Sequence, residues 1–219
     1  MVLEAEREAV AAACRRLAAE RLVLGTAGNV SVRAGDHVVV TPTGGVFSKL
    51  EPEQMTVVDL DGDLVEGELA PTSELALHLG AYRRLEWPGA VVHTHAPMAT
   101  ALSCVLDELP PVHYQMLSLG GSVPVAPYAT FGTEALADSV LDALTSRTAA
   151  LMRNHGAIAL GPDVDTAVEN SLLLEWACTL YWRARVIGEP SLLSEEQLAD
   201  VLESAKRHRY GATRPAEDG

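Results

Sequence analysis

Aromatic and basic side chains are scarce in this 219-residue chain: aromatics make up 5%, with two phenylalanines, and 16 Lys and Arg face 30 Asp and Glu, for a formal charge of −14. So acidic a surface repels phosphate backbones, so no nucleic-acid partner is expected, although a small anion can still find a locally positive pocket. Lys49 and Lys206 are the only lysines. Lys206 sits in a polar terminal segment and Lys49 follows a loop, which argues against catalysis through a lysine imine. The three cysteines, Cys14, Cys104 and Cys178, are odd in number and lack a C-x-x-C partner. They read as reduced, packed thiols of a cytoplasmic protein. No apolar run approaches membrane-spanning length, and Glu4, Glu6 and Glu8 stand where a signal peptide carries Lys or Arg, so no membrane partner is expected. Neither G-x-G-x-x-G nor G-K-[ST] occurs, which removes the usual dinucleotide and P-loop readings.

What is present is a chain with 48% hydrophobic residues, enough to bury a sizeable core in one globular domain. Leu3, Val10, Ala13 and Leu17 recur at helical spacing, predicting an amphipathic helix from Leu3 to Leu24. Val30 and Val32 alternate as in a strand, and His37–Thr41 returns after a Gly35-Asp36 turn. A second hairpin signal surrounds Asp61-Gly62. Helices are predicted from Pro71 to about Leu85, Ala96 to Leu106, Thr133 to Thr145, Val164 to about Val186, and Ser194 to about Arg207. Short strands are predicted at 90–95, 123–125, 149–152 and 158–160, with Pro124 marking an edge strand. Hairpins interleaved with helices imply one α/β domain with a largely antiparallel sheet.

His93-Thr94-His95 is the sharpest chemical signal. Residues two apart on a strand share a face, so both imidazoles can converge on one metal ion. Glu74, His78, His113, His155 and Cys104 are the candidates for further ligands. Glu74 reads equally well as a first-turn carboxylate favoured by the helix dipole, and His78 as a packing residue. Three loops can cradle an oxyanion: 25–29, Thr43-Gly44-Gly45, and Thr72-Ser73 at a helix start. Three anion cradles beside a metal cluster suggest a small phosphorylated substrate.

The segments 25–33, Thr41-Pro42-Thr43-Gly44, Pro71-Thr72-Ser73-Glu74, 91–95 and Asn154-His155-Gly156 resemble, in order and spacing, the motifs of class II aldolases of the aldolase/adducin family. His113-Tyr114 and the segment 126–133 resemble the branch that acts on L-fuculose 1-phosphate. The resemblance spans nearly the whole chain. It implies a single three-layer α/β/α catalytic domain over residues 1–219, built around a mainly antiparallel central sheet, with a tail from about residue 208 that helps close the site. It implies one zinc ion per subunit, held by Glu74, His93, His95 and His155. Gly28, Asn29, Thr43, Gly44, Thr72 and Ser73 would contact the phosphate or substrate. Glu74 would also transfer a proton, as would Tyr114 at the aldehyde oxygen. A cyclic homotetramer with sites at subunit interfaces is implied, Tyr114, Phe131 and Tyr210 approaching from a neighbour. The reaction implied is reversible cleavage of a ketose 1-phosphate to dihydroxyacetone phosphate and a short aldehyde such as L-lactaldehyde.

Other activities of the same family compete with that reading. Phosphopentulose 4-epimerases resemble this chain, but typically carry aspartate at the Glu74 position and another near Tyr114, and neither is found here. Aldolases for 5-deoxypentulose or methylthio-pentulose phosphates, and a dehydratase, share the motifs. Adducin-like binding modules lack the metal ligands. Metallo-β-lactamase-like hydrolases need Asp-His after the H-x-H pair, where this chain has Ala96-Pro97.

Overall fold

The structure, a computed structural model, describes residues 1–208. Tyr210 and the rest of the expected closing tail lie outside the described residues. Nine strands form one sheet: β1 (Asn29–Ala34), β2 (His37–Val40), β3 (Thr56–Asp59), β4 (Leu64–Glu66), β5 (Ala90–Thr94), β6 (Glu108–Leu109), β7 (Val123–Ala126), β8 (Ala149–Met152) and β9 (Gly156–Gly161). Their spatial order is β4-β3-β2-β1-β5-β9-β8-β7-β6, and only the β7–β8 pair is parallel. The sheet is therefore mixed, with a strong antiparallel majority.

Helices cover both faces. On one side lie α1 (Glu4–Ala19), α3 (Pro97–Ser103) and α5 (Val164–Ile187); on the other lie α2 (Leu75–Leu85) and α4 (Glu134–Ala143). A last helix, α6 (Glu195–His208), packs near the 3-10 segment Tyr114–Leu119. The strand residues divide between the two faces with period two. Ala90 and Val92 of β5 join the core under α1, α3 and α5, whereas Val91 joins the core under α2 and α4. The same alternation splits Ala157 and Ala159 from Ile158 and Leu160 in β9. Burial on both faces explains why these strands read as nearly continuous apolar runs.

Several boundaries differ from the periodicity. The first helix stops at Ala19 rather than Leu24, because Arg21 adopts a left-handed φ of 61° and turns the chain out of the helix. β7 is not the outermost strand: β6, two residues long, pairs beyond it and sets Pro124 opposite Glu108. So short a partner asks for few N–H donors, and the proline is tolerated. Cys14 and Cys178 are buried, and burial raises both thiols far above their ordinary pKa. Cys104 is exposed at the end of α3, which corrects the expectation that all three thiols are packed.

Close approach between strands makes one glycine indispensable. A Cβ at Gly156 would lie 2.3 Å from the Thr94 carbonyl oxygen, 3.1 Å from the His95 ring and 3.3 Å from the His93 ring. Gly156→Ala is expected to destabilise the fold by about 1–3 kcal/mol through overpacking. Chemical denaturation would register this as a lower midpoint at unchanged slope; an unaltered midpoint would contradict the packing argument.

Candidate active site

Strand register assembles the site. β5 lies at the centre of the sheet, paired on one side with β1, where Asn29 is opposite His93, and on the other with β9, where Thr94 is opposite Ala157. Continuing that second pairing past Thr94 brings His95 alongside the β8–β9 turn that carries His155. Asn154 in this turn takes a left-handed φ of 54°, a conformation asparagine tolerates better than most residues. Glu74 enters from the opposite direction, at the N-cap of α2. Its side chain makes no capping bond and turns instead to the histidines, so the first-turn helix-dipole role does not describe it.

The three imidazoles meet edge to face, each pair of ring centroids 4.9 Å apart. His93 Nδ1 donates to the Ala157 carbonyl at 2.9 Å, which turns its Nε2 toward the other two rings. That atom lies 3.0 Å from His95 Nε2 and 3.2 Å from Glu74 Oε2, while His155 Nε2 is 3.5 Å from Glu74 Oε1. Glu74 Oε1 is buried and makes no hydrogen bond among the described residues. Tetrahedral zinc with bonds of about 2.0–2.1 Å spaces its ligand atoms about 3.3 Å apart, so the N₃O set of these four residues fits such an ion. A cation would satisfy the orphaned carboxylate oxygen and the facing ring nitrogens together. Of the other candidate ligands, His113 caps the 3-10 segment and packs edge-on against Trp176, and Cys104 lies at the exposed end of α3.

The surroundings fix the protonation states. Burial by itself would raise the Glu74 carboxyl, but the bond and charge of His93, with Asn29 and His155, hold it well below the usual carboxylate range. Burial, then repulsion from His93 and His155, pushes His95 down to about 4, and burial with His93 lowers His155. Both are poised as neutral ligands near neutral pH.

Behind Glu74 stands a buried polar chain that sequence reasoning missed. Asn29 Nδ2 donates to Glu74 Oε2 at 2.9 Å, and Asn29 Oδ1 lies 2.5 Å from His78 Nε2. His78 Nδ1 lies 2.7 Å from Ser31 Oγ, itself 2.7 Å from the Tyr82 hydroxyl. His78 is therefore neither a ligand nor simple packing. The available signal was the spacing of Glu74, His78 and Tyr82, four apart on one stripe of a helix.

A cleft of about 370 Å³ opens over the cluster. Gly28, Asn29, Thr43, Gly44, Thr72 and Ser73 all line it, as the three-loop reading anticipated. Gly28 has φ 95°, and a Cβ there would meet the His93 carbonyl at 2.8 Å, so glycine is required for the loop to reach the site. The Thr72 hydroxyl accepts from the Glu74 backbone N–H at 3.3 Å, fixing the turn that delivers Glu74. Phe131, expected from a neighbouring subunit, lines this chain's own cleft together with Tyr128, because the 127–133 loop folds back beside Ser73. Tyr114 instead lines a separate cavity against α6 and stacks on His113.

Three histidines and a carboxylate converging beneath a cleft, on an α/β/α scaffold, make the donor set of a metal-dependent enzyme. The sequence profile of the Class II Aldolase and Adducin N-terminal domain matches residues 8–182. The 5-deoxy-D-ribulose 1-phosphate aldolase of Bacillus thuringiensis serovar kurstaki is 37% identical over 213 residues, 96% of this chain and 99% of the relative. The L-fuculose phosphate aldolase of Escherichia coli K12 is 41% identical over 186 residues, 84% of this chain and 86% of the relative. A solved structure of an L-fuculose 1-phosphate aldolase superposes with a TM-score of 0.90 at 32% identity, covering 94% of this chain and 98% of that one. The chain belongs to the class II aldolase and adducin family, and within it is a metal-dependent aldehyde-lyase.

The lowered pKa values carry a stability consequence. Burial first, then the charge of His93, depresses His78 to about 3 from an ordinary 6.5. Between those values the unfolded chain takes up a proton that the folded chain refuses, so stability falls as pH drops through 6.5. His95 and Glu74, both also depressed, act in the same direction. The thermal midpoint of metal-free protein is expected to fall steadily from pH 7.5 to 4.5. A midpoint that rose over that range would contradict the assignment.

Proposed function

We propose that this chain is a zinc-dependent aldolase that reversibly cleaves a ketose 1-phosphate, with L-fuculose 1-phosphate the leading substrate, to dihydroxyacetone phosphate and L-lactaldehyde. The observation that carries the reading is the convergence of Glu74 with His93, His95 and His155 beneath a cleft walled by three anion loops. Those four residues would hold one zinc ion per subunit. Bound there, zinc would supply a Lewis acid that draws electron density from the carbonyl of the ketose phosphate. Gly28, Asn29, Thr43, Gly44, Thr72 and Ser73 hold the phosphate through backbone N–H groups and short polar side chains. In the synthetic direction Glu74, kept ionised by its neighbours, takes a proton from the hydroxymethyl carbon of dihydroxyacetone phosphate. That carbon then attacks the aldehyde, and Tyr114 gives its phenolic proton to the new hydroxyl; cleavage is the reverse. Phe131 forms the apolar wall at the aldehyde end.

The proposal includes one catalytic domain over residues 1–219 and a cyclic, cytoplasmic homotetramer. Tyr114 lines the cavity by α6 rather than the cleft of its own chain, which supports its delivery by a neighbouring subunit. Among the described residues no helix is long and apolar enough to cross a membrane.

Glu74→Gln is expected to keep substantial zinc but lose most turnover, because the amide stays near the metal and cannot accept a proton. Proton exchange at the carbon of dihydroxyacetone phosphate isolates this step; exchange at the wild-type rate would assign the base elsewhere. In the same assay, chelation should abolish cleavage of wild-type enzyme, added Zn²⁺ should restore it, and borohydride should trap no adduct. Full activity without metal would end the reading.

A second substrate class has its own support. The near full-length match to a 5-deoxy-D-ribulose 1-phosphate aldolase favours a 5-deoxypentulose or methylthio-pentulose 1-phosphate. The two readings share the phosphate end and differ in the aldehyde: L-lactaldehyde carries one more hydroxyl-bearing carbon than the acetaldehyde from a 5-deoxypentulose. An apolar wall separates such neighbours by only about 10–200-fold, so both are expected to react. kcat/KM across a panel of ketose 1-phosphates ranks them. A preference for the pentulose phosphates above about 100-fold would replace L-fuculose 1-phosphate and leave the aldolase chemistry standing.

A further inference from the structure

The buried polar chain behind Glu74 has one self-consistent direction. Asn29 Nδ2 donates to the Glu74 carboxylate, so Asn29 Oδ1, 2.5 Å from His78 Nε2, must be the acceptor of that bond. His78 then carries its proton on Nε2, and its Nδ1 accepts from the Ser31 hydroxyl. Ser31 Oγ, its proton spent, accepts from Tyr82. Ser31, His78 and Tyr82 are buried away from the cleft, so none of them can exchange its partner for water.

The alternative arrangement is costly at one end. If His78 carried its proton on Nδ1, the Asn29 amide would turn over to meet it. Its carbonyl would then face Glu74 Oε2, acceptor against acceptor inside the core. Orientation at the cleft is thus set two residues back, by which nitrogen of His78 holds the proton.

We propose that His78 is a positioning residue: through its Nε2–H it orients the Asn29 amide, which in turn holds Glu74 Oε2 beside His93 and leaves Oε1 turned to His155. Ser31 and Tyr82 fix the tautomer that makes this possible. His78 itself touches neither substrate nor metal. The proposal rests on the reading of Glu74 as proton acceptor, and it extends the site's determinants along α2 from Glu74 to His78 and Tyr82, one face of three consecutive turns.

Two isosteric variants separate positioning from space-filling. Glutamine places an amide N–H near the Nε2 position and keeps the bond to Asn29. Asparagine reaches only the Nδ1 position and keeps the bond to Ser31. In zinc-loaded enzyme His78→Gln is expected to retain most of the wild-type kcat. His78→Asn is expected to lose about 10–100-fold in kcat and in donor proton exchange, the usual range for a group supporting a metal ligand, while His93, His95 and His155 keep the zinc. Ser31→Ala, a small change that spares the fold, is expected to lower kcat in wild type and to have no further effect in His78→Asn.

Nitrogen-15 spectra of histidine-labelled protein give a readout independent of activity. The His78 signal is expected to report Nε2–H with an unprotonated Nδ1 in wild type, and mixed tautomers in Ser31→Ala. An Nδ1–H tautomer in wild type would overturn the proposal. So would equal kcat for the glutamine and asparagine variants, or zinc loss in His78→Asn as complete as in His93→Ala. These outcomes are distinct from failure of the aldolase reading: a proton exchange unaffected by Glu74→Gln would remove Glu74 as base, yet the His78 tautomer would still be measured.

Discussion

The antiparallel pairing of β5 with β1 on one side and β9 on the other is the constraint on which the site depends. It sets Asn29 across from His93 and leads the β8–β9 turn, with His155, alongside His95. Because strand side chains alternate faces, a slip of one residue would turn His93 toward the opposite helical layer. Register is protected by the alternation of Ala90 and Val92 against Val91, each set buried in its own core. The hydrophobic cores therefore do more than stabilise the sheet: they hold the imidazoles in phase.

Such a cluster works against the surrounding core. Three imidazoles and a carboxylate, mostly withdrawn from water, are unfavourable unless each polar atom has a partner. The fold supplies nearly all of them. Ala157 takes the His93 Nδ1–H, and Asn29 takes one Glu74 oxygen. What is left over, Glu74 Oε1 and the inward-facing nitrogens, is a constellation that a divalent cation would complete. The same desolvation that makes the arrangement expensive keeps His95 and His155 neutral and ready to bind.

The two ends of the cleft are built differently. One end is tight, formed by loops whose glycines let backbone approach closely, as Gly28 does against the His93 carbonyl. The other is open: Tyr128 and Phe131 on its wall are 63% and 65% exposed. Under the proposed function, the tight end would take the phosphate and the open, apolar end the aldehyde, making the donor the stricter requirement.

Much of this was legible in the chain itself. Local pattern was enough for the helices, because apolar spacing of three and four reports a buried face directly, and for the pairing of His93 with His95, because H-x-H on a strand points two rings one way. The order and spacing of the motifs also marked the three loops that line the cleft. What local pattern could not carry was any partnership between distant residues. That Glu74 declines its capping role, that Phe131 belongs to this chain's own cleft while Tyr114 does not line it, and that His78 supports Asn29 all follow from strand register and layer packing. A buried polar group is defined by what lies across from it, and that neighbour is chosen by pairings between segments as much as 64 residues apart, as His93 and Ala157 are.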